Sequence, residues 1–114
     1  MDKSAMKRAY KEAKRPMGVY RITSTQDDKV YIGFGTDLAA KINRHKFELR
    51  FGSHRNRELQ EAWSLFGESA FDFEVLDVLD HKENPQTNPA EELHVLLEMW
   101  IGKLEKEGYS IVTL

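Results

Sequence analysis

GVYRITSTQDDKVYIG, residues 18–33, is the stretch on which the fold turns. Two short apolar-aromatic runs, 18–22 and 30–33, flank the polar segment Ser24-Thr25-Gln26-Asp27-Asp28. Tyrosine and β-branched residues favour a pleated, half-buried surface, and an Asx-rich middle reverses the chain. The spacing therefore predicts a β-hairpin with one tyrosine in each arm, Tyr20 and Tyr31.

Outward from the hairpin, residues 3–15 are rich in helix formers and end at Pro16, which pushes the preceding residue out of the α region. Six Lys/Arg against Asp2 and Glu12 make residues 1–16 a basic helical arm, followed by a single domain over 17–114. On the other side, Thr36 or Asp37 caps a helix expected over 38–50, and Gly52 ends it. The cationic loop Ser53-His54-Arg55-Asn56-Arg57 leads into a short helix near 58–66. Residues 71–79 alternate as a strand with one buried face. Asn88 and Pro89 open a long helix to about Lys106, with Leu93, Leu96, Leu97, Trp100, Ile101 and Leu104 on one stripe. A short extended tail follows. The order is that of a small α+β layer.

The chain has 114 residues, enough for one core without staples, and it has no cysteine, which excludes disulfides and thiolate zinc sites. No apolar run spans a membrane and no signal segment precedes the domain, so a cytoplasmic protein with no membrane partner is expected. The net charge of −2 hides an asymmetry: residues 1–60 carry 14 Lys/Arg against 7 Asp/Glu, and residues 61–114 carry 3 against 12. A basic half attracts phosphate locally, and an acidic half offers a surface to a basic protein partner.

GVY, a turn and YIG, then a capped helix carrying Lys-Ile-Asn-Arg-His, then Gly-Ser-His-Arg-Asn and a closing Glu-Met-Trp-Ile…Gly-Tyr, resemble the GIY-YIG nucleases. The resemblance runs from Gly18 to about Ile111. It implies a three-stranded antiparallel sheet with helices around it. It also implies a site that cuts a phosphodiester with water, one divalent metal (Mg2+ or Mn2+), two tyrosines, an arginine and a glutamate. A phosphodiester transition state gathers negative charge, so such a site aims a cation and a metal at it. Tyr20 and Tyr31 match the tyrosines, His45 the histidine on the first helix, and His54 a later histidine. The family arginine falls on Lys41, which keeps the charge and loses the planar two-pronged grip. The glutamate falls on Leu97. Glu98 is adjacent, about 100° round the helix, and is the candidate metal ligand. Ser110 stands where the family has an asparagine.

Three functions are therefore open. The first is a nucleic-acid-binding protein, DNA ahead of RNA, with impaired or lost cleavage and no cofactor. Its surface would be Lys41, Arg44, His45, Lys46, Arg50, His54, Arg55 and Arg57. The second is an active metal-dependent endonuclease with Tyr20, Tyr31, Lys41 and His45 as catalytic residues and Glu98 on the metal. The third is a protein-interaction domain that uses the acidic C-terminal half.

Overall fold

A computed structural model describes residues 16–79 and 88–114; the helical arm expected over 1–16, apart from Pro16, and the loop at 81–87 lie outside the described residues. Strands β1 (Met17–Ser24) and β2 (Lys29–Gly35) form the expected hairpin, with Tyr20 opposite Gly33 and Ile22 opposite Tyr31. The reversal is made by side chains reaching back to backbone: Gln26 N–H donates to Ser24 Oγ, and Lys29 N–H to Asp27 Oδ1. Strand β3 (Phe71–Leu79) pairs antiparallel with β1.

The sheet is one strand wider than the three expected. The tail forms β4 (Ser110–Thr113), which pairs parallel with β2, giving the order β3-β1-β2-β4. Without it the outer edge of β2 would expose a row of unpaired amides and carbonyls. Ser110 N–H donates to Asp28 O and Leu114 N–H to Ile32 O, which fixes the tail along that edge.

Helices α1 (Leu38–Arg50) and α2 (Arg57–Phe66) cover one face of the sheet, and α3 (Pro89–Lys106) covers the other. Leu38, Leu49, Leu59 and Trp63 pack on Tyr20, Ile22 and Tyr31. Leu97 and Leu104 pack on Val19, Val30 and Ile32. The two central strands are thus buried on both faces, which is why their sequence reads as near-continuous apolar runs. Two helices start where a cap was expected, Asp37 accepting from Ala40 N–H and Asn88 from Ala90 N–H, and α2 is capped by Asn56, which accepts from Leu59 N–H. Gly52, at φ +72°, supplies the left-handed turn after α1.

Strand β3 departs from simple alternation. Val19 pairs with Asp77 and Tyr20 with Val75, so Leu76 is a bulge residue without a partner on β1. The extra residue puts Asp77, opposite Val19, on the α3 face next to Leu76. Phe71 and Phe73 serve the Tyr20 face, whereas Leu76 packs with the α3 cluster. Asp77 is turned to accept from Trp100 Nε1–H at 3.1 Å, tying α3 to the sheet. Among the described residues no helix is long and apolar enough to cross a membrane.

Candidate functional site

A cavity of about 310 Å³ opens where β1, α1, the loop before α2 and the end of β4 meet. Strand β1 delivers Tyr20 to it. The phenol lies across the β2 backbone because its cross-strand neighbour is glycine: a Cβ on Gly33 would stand 2.5 Å from Tyr20 Oη. Helix α1 presents Lys41, Arg44, His45 and Glu48, which helical spacing of three and four puts on one face. The loop adds His54, Arg55 and Asn56, and the chain's last residues, Thr113 and Leu114, complete the wall.

Tyr20, His45 and His54 form a continuous buried series. Tyr20 Oη is 2.5 Å from His45 Nε2, and His45 Nδ1 is 2.8 Å from His54 Nε2. The two imidazoles stack with centroids 5.0 Å apart. His54 is held from both sides: Asn56 N–H donates to its Nδ1 at 3.0 Å, and its own N–H donates to Gln60 Oε1 at 3.0 Å. Gln60 in turn donates through Nε2 to Leu49 O, which links the loop to the end of α1.

Burial keeps this series uncharged. It raises the Tyr20 hydroxyl well above an ordinary tyrosine. It pushes His45 down to about 4, with His54 and Lys41 adding to the effect, and it lowers His54 as well. Among the described side chains that line the cavity, formal charge is carried by Lys41, Arg44 and Arg55 against Glu48, which lies 3.7 Å from Arg44. Three cations facing one carboxylate, with neutral hydrogen-bonding groups between them, favour an anion.

The structure thus brings together Tyr20, Lys41, Arg44, His45, His54 and Arg55 of the residues singled out in the sequence. Tyr31 is not among the lining residues. It is 1% exposed, and its hydroxyl has no hydrogen-bond partner among the described residues. Lys46 lies with its ammonium 5.0 Å from the Phe73 ring centroid, and Arg50 is paired with Glu68 at 2.5 Å, both outside the cavity wall. Arg57 is exposed at the start of α2. Glu98 does not reach the cavity. One residue of helical rotation separates it from the buried Leu97, and it lies exposed on α3, 3.7 Å from His94. Leu97 itself is 2% exposed in the cluster on the sheet face opposite Tyr20.

Four contributors, Glu48, Asn56, Thr113 and Leu114, were not marked as site residues by the sequence. Glu48 stands three residues after His45, and that spacing is the signal that places both on one face. Asn56 acts through its backbone amide, and Thr113 and Leu114 arrive by tertiary pairing, so neither has a local signature.

His45, Glu48 and His54 offer three potential ligand atoms within 4.8 Å of one another. The donor set does not suit a hard divalent ion, which prefers oxygen. Moreover, His45 Nδ1 and His54 Nε2 face each other at hydrogen-bond distance, so one proton lies between them. An ion seated there must expel that proton while Asn56 N–H still occupies the other nitrogen of His54. Glu48 is the only carboxylate side chain among the described residues that line the cavity.

Comparisons with known proteins point the same way as the hairpin. The model of the GIY-YIG catalytic domain matches residues 16–96. The intron-associated endonuclease 1 of Enterobacteria phage T4 is 28% identical over 99 residues. That match covers 82% of this chain and 36% of the relative, so the chain spans about a third of that relative's length. A structure of the catalytic domain of homing endonuclease I-TevI superposes with a TM-score of 0.67 at 24% identity, covering 84% of this chain and 97% of that one. A mutant of the I-TevI catalytic domain gives 0.65 at 25% identity, covering 83% and 92%. The hairpin, the helices on both sheet faces and a family match over most of the chain make this protein a member of the GIY-YIG nuclease family.

Proposed function

We propose that this chain binds the phosphodiester backbone of nucleic acid, DNA ahead of RNA, in the cavity beside Tyr20, and that its cleavage activity is weakened or lost. One observation carries the reading. The cavity keeps its cations, Lys41, Arg44 and Arg55, while the position of the family carboxylate is a leucine locked in the opposite core and the neighbouring Glu98 faces solvent. The phosphate-gripping half of the site is present without the acid that resemblance assigns to a metal. Non-bridging phosphate oxygens would meet the three cations, with Tyr20 at the cavity floor.

Backbone contacts of this kind are indifferent to sequence and weaken steeply with salt. Fluorescence anisotropy with duplex and branched DNA over a salt series tests this. Lys41→Ala should weaken binding similarly for all sequences and reduce the slope of log K against log salt by about 0.9. No detectable affinity at low salt would defeat the proposal. A nicking assay with Mg2+ or Mn2+ addresses cleavage. The carboxylate of Glu48 in the cavity supports the rival reading of an active endonuclease. Metal-dependent nicking by the wild type that disappears in Glu48→Gln would establish that rival.

A further inference from the structure

Helix α1 ends in an apolar feature that neither core cluster uses. Among the described residues Phe47 is 60% and Phe51 70% exposed, and the two rings rest against each other with centroids 4.5 Å apart. A solvated helix face needs no aromatic pair, because polar side chains fill it without holding apolar area in water. Gly52, at φ +72°, turns the chain away directly after Phe51, so no further turn of α1 follows over its ring.

The pair has charged neighbours of one sign. Arg44, Phe47 and Phe51 follow one another at spacings of three and four, which lines them along one side of the helix. Arg44 also belongs to the cavity wall, as does Arg55 on the loop just beyond Phe51. Both arginines are exposed. The only acid in α1, Glu48, is half-buried and lies 3.7 Å from Arg44. The rings therefore continue the cationic rim of the cavity toward the end of the helix. An occupant of this edge must offer negative charge on one side and a flat apolar face on the other. A nucleotide carries both in one unit, with phosphate for Arg44 and Arg55 and a base for the rings. In an intact duplex each base face is covered by its neighbours in the stack, so only an unpaired base can present one.

We propose that Phe47 and Phe51 form a stacking platform for an unpaired nucleobase, so that this chain selects DNA with a displaced base over fully paired duplex. The ligand rests on the nucleic-acid-binding reading, and the selectivity goes beyond it. Every base has a π-face, so the platform adds no reading of sequence. Rings that already rest on each other lose little freedom when a base settles on them. Phosphate contacts set the salt dependence of binding and base stacking does not, which makes the two contributions separable.

Fluorescence anisotropy with the full chain compares a duplex that carries one unpaired adenine with its fully paired counterpart. The wild type should bind the bulged duplex roughly tenfold more tightly, which corresponds to about 1.4 kcal/mol and lies within the range of one stacked base. Phe47→Ala and Phe51→Ala should each remove most of that preference, with the salt slope on the bulged duplex kept. Phe51→Trp, which retains an aromatic face, should keep the preference as well. Lys41→Ala, by contrast, should weaken both duplexes alike. With iodouracil as the unpaired base, irradiation should crosslink it to residue 47 or 51. Equal affinity of the wild type for the two duplexes, a preference that survives both alanine variants, or a crosslink to other residues overturns the platform and leaves the backbone-binding reading standing. Self-association of the wild type in sedimentation that Phe47→Ala abolishes, with no preference for the bulge, also overturns it and makes the rings an interface between copies. A wild-type chain that binds neither duplex at low salt overturns the functional reading, and the platform with it.

Discussion

Gly33 and Tyr31 show how single atoms settle the roles of the hairpin residues. Tyr20 Oη occupies the space that a side chain at 33 would need, so Gly33→Ala forces the phenol away from His45. Overpacking of this kind costs about 1–3 kcal/mol, and denaturant unfolding should show it together with loss of the His45 contact in NMR spectra. Tyr31 sits in the same face of the sheet but buries its hydroxyl without a partner among the described residues. A buried unpaired polar group costs about 1–3 kcal/mol, so Tyr31→Phe should be neutral or stabilise the fold. A lower unfolding midpoint in that variant would mean that the hydroxyl is satisfied in solution. The sequence treats the two tyrosines as equivalent by resemblance. Their environments separate them, because only Tyr20 has a histidine opposite and a cavity beside it.

At the scale of elements, α3 is where the family pattern and this chain part. Its apolar stripe was legible from spacing alone, and the observed burial of Leu93, Leu97 and Leu104 follows it. The same stripe decides the fate of the carboxylate. Leu97 is surrounded by Val19, Val30, Ile32 and Leu104, so an acid there would be stripped of water with no cation in its cluster. Leu97→Glu is expected to destabilise the protein by at least about 3 kcal/mol and to confer no metal-dependent nicking. Stable folding with gained nicking would show that the helix can rotate its 97 position into the site. Glu98 cannot substitute, because a neighbouring residue points about 100° away.

For the molecule as a whole, the neutral histidines couple the site to stability. His45 is pushed down to about 4 from 6.5, so between those values the unfolded chain binds a proton that the folded one refuses. The sign follows: stability is full above about pH 6.5 and falls as pH drops toward 4, with His54 acting in the same direction. The share of His45 is at most about 3 kcal/mol. Urea midpoints at pH 7.5, 6 and 5 should fall, and His45→Gln, which does not titrate, should fall less. Equal slopes would mean that His45 takes up its proton in the fold as readily as in the unfolded chain. The charged and titratable groups facing it, Lys41, Arg44 and Glu48 on α1 with His54 on the loop, set the remainder of the local field.

What the sequence determined by itself was local. The turn chemistry of residues 24–28, the caps Asp37 and Asn88 and the apolar spacing of α2 and α3 act over a few residues, so spacing and residue type were enough to place the hairpin and the three described α-helices. The α1 face of Lys41, Arg44 and His45 was legible for the same reason. Only the tertiary structure decided what meets across the chain. It paired the tail with β2 as a fourth strand, set the bulge at Leu76, and turned Glu98 to solvent. It also brought His45 to His54 and both to Tyr20. These depend on which edge is left unpaired and which side chains converge through space, and such energies appear only once the layers have packed.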